Sequence, residues 1–180
     1  MINRTRPYVA AALVVFSVAA VAHARQDSKS AAGAKQLTQA LDAAKLDAIA
    51  AADPADPGTF VAALYIQGSQ LLVVSAKYSA PALLTAKLKT KEYRDIYMDL
   101  SSASVAGSKV FLIDMDCNGL AQKPDGNDGP DSWEANAKQF TFDGDWGKAK
   151  LSEDAYKKAF ADADERYVKM LGLLTAQAKQ

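Results

Sequence analysis

Histidine and cysteine are almost absent from this sequence, which contains one of each among 180 residues. The single histidine, His23, lies in an N-terminal segment that has the form of a cleavable signal peptide. Removal of that segment would leave a mature chain without any imidazole group. Catalytic sites built on a histidine base, and zinc, copper or haem sites with a histidine ligand, would then be excluded.

Cys117 has no second cysteine with which to form an intramolecular disulfide or a multi-thiolate metal site. In an oxidising compartment a lone cysteine is either buried or paired with another molecule. We expect burial, because free cysteines are among the most buried residues. The remaining chemistry depends on carboxylates, hydroxyls, lysines, arginines, a hard metal ion or a bound organic cofactor.

The N-terminal segment carries the pattern of an exported protein. Arg4 and Arg6 precede a continuous apolar run over residues 8–22, and Ala22-His23-Ala24 provides the small side chains that signal peptidase accepts. The run is shorter than the roughly 18 to 20 apolar residues of a membrane anchor. We therefore predict cleavage after this tripeptide, with Arg25 as the mature N-terminus and the bacterial periplasm or the extracellular medium as the destination.

An excess of positive charge is also lacking once residues 1–24 are removed. That segment holds two of the 21 basic residues and no acidic one, so 19 basic residues remain against 21 acidic ones, a formal charge of −2. Nucleic acids and anionic membranes bind basic surfaces, and we expect neither as a partner. No later segment is long and apolar enough to span a bilayer, so we expect a soluble mature protein that binds a small ligand or another protein.

The mature chain is long enough for one domain with a hydrophobic core. Residues 25–34 are small and polar, which predicts a flexible arm, and residues 35–180 are predicted to form the domain. The domain begins with a segment rich in alanine and leucine over residues 35–53, which predicts a helix. Prolines and a glycine in residues 53–58 would end it.

Residues 59–66 and 70–77 are rich in β-branched and aromatic side chains and flank a turn that contains Gly68. This arrangement predicts a β-hairpin. The order Ser79-Ala80-Pro81 then predicts a helix that reaches about residue 89, with a serine cap and a proline in the first turn.

Residues 93–100 fit both a helical stripe and the alternation of a strand. We predict a strand, because residues 109–114 have a clear strand pattern and the segment between the two suits a hairpin connection. Residues 117–136 are rich in Asn, Asp, Gly and Pro, which predicts a long loop. A short strand is predicted near residues 138–142.

The C-terminal segment predicts a long amphipathic helix capped by Ser152. The predicted helix runs from Ser152 nearly to the C-terminus. It would extend about 40 Å and could project beyond a small domain. Its apolar stripe consists of Tyr156, Phe160, Ala163, Tyr167, Met170, Leu171 and Leu174.

Adjacent hairpins and flanking helices together predict the α+β class. We expect an antiparallel sheet or a split barrel built from hairpins, with helices on one face or at one end.

An acidic motif provides the first candidate site. Asp114, Asp116 and Asn118 stand at alternate positions before a glycine, which resembles the start of a calcium-binding EF-hand loop. Asp125 occupies the twelfth position, where an EF-hand has glutamate, and Asp131 is among the further residues that could donate oxygen atoms. The alternative is a set of solvated turns, because Asp, Asn and Gly favour turns on their own account.

The second candidate site is the junction between the predicted hairpin and the helix that follows it. Ser75, Lys77 and Ser79 offer hydroxyl groups and a positive charge close to a helix N-terminus, which can hold a phosphate group. An ordinary helix cap with solvated lysines is the alternative.

The order of elements over residues 35–116 resembles that of split-barrel flavin-binding proteins of the pyridoxamine-phosphate-oxidase type. The likeness rests on a leading helix, a turn with two Asp-Pro pairs, a hairpin and a Ser/Lys helix start. It implies a bound flavin and an oxidoreductase activity, although no residue motif carries over the cofactor contacts. Fold likeness does not by itself establish function.

The sequence therefore predicts a small exported binding protein without catalytic residues that we can assign. Calcium and flavin are the candidate cofactors. A flavin-dependent oxidoreductase is one alternative, and an interaction protein that uses the apolar stripe of its C-terminal helix is the other.

Overall fold

In a computed structural model, the described residues are 28–103, 105, 108–124, 129–135 and 138–180. Within these residues the elements, in chain order, are α1 Ala31–Ala44, β1 Ala48–Ala52, β2 Thr59–Ile66, β3 Gln70–Lys77, α2 Pro81–Thr90, α3 Tyr93–Ser101, β4 Lys109–Asp114, β5 Ser132–Ala135, β6 Lys138–Thr141 and α4 Glu153–Ala178.

The six strands form one open antiparallel sheet in which each strand pairs with the next along the chain, in the order β1 to β6. The predicted hairpin is confirmed: β2 and β3 pair from Thr59↔Lys77 to Ile66↔Gln70. Gly68 lies in its turn with φ of +70°, a conformation that glycine adopts without a steric penalty. The antiparallel α+β architecture is as predicted, with an open sheet.

Helices cover both faces of this sheet, which differs from the single face or end that we expected. Side chains alternate along a strand, so Val73 faces the core beneath α1 and α4 while Val74 faces the core beneath α2 and α3. Ala62 and Ala63 on β2 are likewise buried on opposite faces. Central strands that are apolar on both faces need a helix layer on each side.

The prediction of one helix over residues 35–53 is wrong in its second half. Helix α1 ends at Ala44, where Lys45 takes a left-handed conformation with φ of 55° and the Leu46 N–H donates to the Leu41 carbonyl at 2.9 Å. Ala48–Ala52 then forms β1 and pairs with β2. Alanine favours helices locally, but ladder hydrogen bonds and burial between two helix layers outweigh that preference.

Residues 28–34, the described part of the predicted flexible arm, lead into α1. Ala31 begins α1, and Ser30 and Ala34 are fully buried. Small side chains allow this segment to pack closely against neighbouring elements, and composition alone suggested mobility. The remaining arm residues, 25–27, and the predicted signal peptide lie outside the described residues.

Residues 93–100 belong to a helix, α3, so the strand prediction is wrong. The buried side chains of α3 are Tyr93, Ile96, Tyr97 and Leu100, which is the helical stripe. Met98, which a strand would place on the same face as Leu100, is 59% exposed. Packing of this stripe on the sheet selects the helix, whereas local sequence allowed both structures.

The predicted loop over residues 117–136 contains a strand, β5, which pairs with β4 in the register Ile113↔Ser132. This strand has only four residues, too few for a clear alternation in the sequence. The short strand predicted near residues 138–142 is confirmed as β6.

Helix α4 is confirmed, and the Ser152 side chain accepts a hydrogen bond from the Ala155 N–H at 3.2 Å at its start. All seven residues of the predicted apolar stripe are buried in the core beneath the sheet. The stripe is therefore covered within the chain itself and is not presented to a partner in this conformation. None of the described helices combines the length and the apolar character needed to cross a membrane.

Candidate metal-binding site

The loop after β4 is built around the carboxylate of Asp114, the last residue of that strand. Its Oδ1 accepts the Asn118 N–H at 3.1 Å, and its Oδ2 accepts the Gly119 N–H at 2.9 Å. Cys117 and Gly119 have φ values of 60° and 93°, which turn the backbone so that these N–H groups point back to Asp114. The sequence motif therefore forms a tight turn around a buried carboxylate.

Asp131 closes the same loop from its other end. Its Oδ1 accepts the Met115 N–H at 2.9 Å and its Oδ2 accepts the Ala121 N–H at 2.7 Å. The pairing of β4 with β5 in the register Ile113↔Ser132 brings Asp131 beside Asp114. The side chain is 6% exposed, so a second carboxylate is buried within the turn.

The fold gathers three carboxylates at one point. One oxygen atom from each of Asp114, Asp116 and Asp131 lies within 4.8 Å of the other two. Calcium binds oxygen at about 2.3–2.6 Å, so two ligands on opposite sides of one ion are separated by about 5 Å. Oxygen atoms with this spacing can therefore contact a single ion.

Asn118 lies in the same turn as these carboxylates and carries an amide oxygen. In the part of the chain that the structure describes, its buried Oδ1 atom accepts no hydrogen bond, whereas its backbone N–H donates to both Asp114 and Asp116. A buried carbonyl oxygen without a partner is costly, at about 1–3 kcal/mol, and is also a typical ligand of hard cations.

The electrostatic environment of the cluster disfavours ionisation of Asp114 and Asp131. Burial raises the pKa of Asp131 to about 7 against the effect of the Met115 N–H, and the charge of Asp114 raises it further. Burial also raises the pKa of Asp114, although the Gly119 N–H and the Tyr167 hydroxyl oppose this. Within the described residues, neither Asp114 nor Asp131 has an ion-pair partner. At neutral pH Asp114 and Asp131 together therefore favour binding of a proton or a cation.

Cys117 lies in the same turn and is half-buried. Burial, together with the charges of Asp114 and Asp116, raises the pKa of the Cys117 thiol to about 12. A thiol with this pKa stays protonated at neutral pH, so it is a poor metal ligand and a poor nucleophile.

Tyr167 connects the cluster to α4. The Tyr167 hydroxyl donates to Asp114 Oδ2 at 3.0 Å, and the residue is fully buried. Burial and the charge of Asp114 raise the pKa of Tyr167 well above its ordinary value, which keeps the hydroxyl protonated as a donor. The sequence placed Tyr167 in the apolar stripe but provided no signal for this hydrogen bond.

The N-terminal residues hold the loop from the opposite side. Ser30 Oγ accepts the Leu120 N–H at 3.0 Å. The carboxylate of Asp164 in turn accepts the backbone N–H groups of Lys29 at 2.8 Å and Ser30 at 3.1 Å. Sequence reasoning missed both Ser30 and Asp164, because neither belongs to a recognisable motif and the contact joins distant parts of the chain.

The carboxylates of the predicted ligands Asp114 and Asp116 are thus brought together with that of Asp131. Asn118 lies in the same turn through its backbone N–H, and its side chain as a ligand stays a prediction. Asp125 lies outside the described residues, as do the neighbouring residues 126–128. Its assignment as a ligand stays a prediction.

No protein-family model matches this chain, and no curated protein or solved structure matches it. Any proposal about its function therefore depends on its own residues and their geometry.

The second predicted site is only partly assembled. Ser75 and Lys77 line one groove between the sheet and α4, with a volume of about 380 Å³. Ser79 is exposed and does not line this groove, and α2 begins after Ala80 without a hydrogen-bonding side-chain cap. The predicted serine cap is therefore wrong, and the bound flavin implied by the split-barrel resemblance stays a prediction.

Proposed function

We propose that this chain is an exported, non-catalytic binding protein that holds a calcium ion in the loop between β4 and β5. The observation that carries the proposal is the convergence of Asp114, Asp116 and Asp131 within 4.8 Å of one another. The buried Oδ1 of Asn118, which accepts no hydrogen bond from any described residue, supports it independently of the carboxylates.

The ligand atoms favour calcium over softer metals. Every candidate donor is an oxygen atom, whereas zinc and copper sites in proteins usually include nitrogen or sulfur ligands. Magnesium requires near-ideal octahedral geometry and retains several waters, while calcium tolerates irregular sites with bound carboxylates. An irregular cluster on a loop tied by backbone hydrogen bonds therefore suits calcium better.

The charges of the cluster support cation binding for a physical reason. Two buried carboxylates with raised pKa values repel each other when both are ionised, and a divalent cation would neutralise that repulsion. Each carboxylate keeps its backbone hydrogen bonds in the unbound loop. The loop is therefore shaped before the ion binds, so that binding requires little reorganisation.

Calcium titration of chelator-treated protein tests the proposal. We expect saturable heat by calorimetry and a rise in melting temperature, while magnesium gives a weaker effect. A ligand at one hundred times its Kd stabilises a protein by about 2.7 kcal/mol. For a domain of this size that corresponds to a shift of about 5–10 °C.

Matched variants make the test specific to the site. Asp116→Asn removes one charge from the cluster and should weaken calcium binding at least tenfold. Asp162→Asn removes the same charge from an exposed i, i+4 ion pair with Lys158 on α4 and should leave it unchanged. The proposal is wrong if calcium produces no heat and no thermal shift at millimolar concentrations, or if both variants bind as the unaltered protein does.

A further inference from the structure

A groove separate from the acidic cluster lies between α4 and the sheet. Its floor is one cross-strand row in which Val61 on β2 pairs with Ser75 on β3, and Ser75 pairs with Val110 on β4. Residues of α4 form one wall, and the turn between β1 and β2 forms the other. Helix α4 packs on β1 and β2, and the groove lies between α4 and residues of the neighbouring strands β3 and β4.

The charged side chains of the groove leave an excess of one positive charge. Among the residues that the structure describes, Lys77, Arg166 and Lys169 line it together with the two carboxylates of Asp53 and Asp56. Lys77 pairs with Asp56 at 3.1 Å, and Lys169 pairs with Asp53 at 2.8 Å. An anion with one negative charge would neutralise the remainder.

Arg166 supplies that excess charge. Its guanidinium lies 5.8 Å from the centroid of the Trp133 ring, a cation–π contact, and it makes no ion pair within the described residues. A guanidinium group presents several N–H donors in a planar fork that matches a carboxylate. Stacking on the indole holds this fork in place, so that less entropy is lost when an anion binds.

Apolar side chains lie beside these charges. Val61 and Met170 are buried, while Val110 and Leu173 are half-buried and remain accessible from the groove. The volume of about 380 Å³ lies within the range of about 300–1,000 Å³ that is typical of small-ligand sites. A ligand that covers these side chains would remove apolar surface from water.

We propose that this groove binds a small organic carboxylate with an apolar body. The carboxylate contacts Arg166, and the apolar body covers Val110 and Leu173. The hydroxyl groups of Ser75 and Ser108 line the same groove and offer further hydrogen bonds to the anion. This proposal does not depend on calcium binding, because none of its residues belongs to the acidic cluster.

Octanoate is a suitable probe, with 1-octanol as its uncharged counterpart and acetate as the anion without an apolar body. The chain has two tryptophans, so a Trp146→Phe variant leaves Trp133 beneath Arg166 as the only indole reporter. We expect a saturable change in Trp133 emission with octanoate at submillimolar concentrations. Octanol and acetate should each bind at least tenfold more weakly.

Arg166→Gln should weaken octanoate binding at least tenfold, measured by calorimetry because this change also alters the environment of Trp133. Arg94→Gln is the matched control, since Arg94 lies on α3 in the opposite helix layer and pairs with Asp47. If Arg166→Gln does not fold, Lys77→Gln provides the second test, because Lys77 is exposed and lines the same groove. This variant also removes one positive charge from the groove and should likewise weaken octanoate binding.

Three results would overturn the groove proposal: no saturable binding of octanoate at millimolar concentrations, equal binding of octanol, or equal affinity in the Arg166 and Arg94 variants. Measurements of octanoate binding in the presence of a chelator test the groove proposal separately from the calcium proposal. Octanoate should still bind when calcium is absent.

Discussion

Gly119 and Asp131 shape the loop after β4 for different physical reasons. Gly119 combines a positive φ with very close packing, because a Cβ atom there would lie 2.5 Å from the Ala31 backbone nitrogen. Asp131 supplies two acceptor atoms, one to the Met115 N–H and one to the Ala121 N–H. Backbone geometry at one position and a buried carboxyl group at the other therefore maintain the same structure.

Gly119→Ala should destabilise the fold by about 3 kcal/mol or more, measured by urea unfolding. A left-handed conformation costs a non-glycine residue about 1–2 kcal/mol, and the contact with the Ala31 backbone adds to this. Gly68→Ala is the control, since its φ is +70° but a Cβ atom would meet nothing within 4 Å. It should cost only about 1–2 kcal/mol. Equal losses in the two variants would contradict the close contact with Ala31.

The stability of calcium-free protein should fall as the pH rises from about 4 to about 7. The pKa of Asp131 is about 7 in the folded chain and 3.8 as its ordinary value, so over this range the folded state retains a proton that the unfolded state has lost. The stabilisation from this group is fully present below pH 3.8 and is lost as the pH rises through 7. The slope is about 1.4 kcal/mol per pH unit. The raised pKa of Asp114 acts in the same direction.

Urea unfolding of chelator-treated protein at several pH values would measure this slope. Asp131→Asn should reduce it, because the amide does not titrate. The hydrogen bond from Lys169 lowers the pKa of Asp53, so Asp53 has the opposite effect. Its contribution to stability is present above about pH 4 and is lost as the pH falls below that value. A stability that is flat or rising between pH 4 and 7 in the unaltered protein would contradict a raised pKa at Asp131.

At the scale of secondary-structure elements, two segments take the structure that tertiary packing selects. Ala48–Ala52 forms an edge strand although it is rich in alanine, and Tyr93–Ser101 forms a helix although it also fits a strand. In both segments the local preference is weak or ambiguous, whereas burial against the sheet or within it is extensive. The element that results is the one that buries the apolar side chains.

The helix at α3 can be tested with one pair of substitutions. Leu100→Ala should cost about 2–5 kcal/mol, because the Leu100 side chain is fully buried in the core between α3 and the sheet. Met98→Ala should change stability by no more than about 0.5 kcal/mol, because Met98 is 59% exposed. A strand would place both side chains on one face, so comparable losses in urea unfolding would contradict the helix.

At the scale of the whole molecule, the sheet lies between two helix layers, and α1 and α4 pack together on the face that holds the acidic cluster. Residues from β4, from the start of β5, from α4 and from the N-terminal segment meet at that cluster. The site therefore depends on assembly of the whole domain, and its loop is not an independent unit.

We expect the exported protein to begin at Arg25. Signal peptidase would cleave after the Ala22-His23-Ala24 tripeptide, which would remove the only histidine with the leader. Intact mass measurement and N-terminal sequencing of protein recovered from the periplasm or culture medium would check the cleavage position. Recovery of an exported chain that retains His23 would contradict this prediction. Absence of the protein from the periplasm and the culture medium would also contradict it.

The sequence by itself determined the features that depend on neighbouring residues. The β2–β3 hairpin follows from two strand patterns around Gly68, and the start and buried stripe of α4 follow from Ser152 and helical spacing. The motif Asp114, Asp116 and Asn118 was also visible, because its residues lie within one turn. These patterns involve residues that are close in the sequence, so they can be recognised without knowledge of the tertiary structure.

Only the tertiary structure decided which segment pairs, which face is covered and which distant residues complete the site. Tyr167 reaches Asp114 across 53 positions of sequence, and Ser30 reaches Leu120 across 90. Such contacts leave no periodic trace in the sequence, because they arise when separate elements pack on a common sheet. Strand pairing and burial act over the whole domain, and there they outweighed the helical preference of Ala48–Ala52.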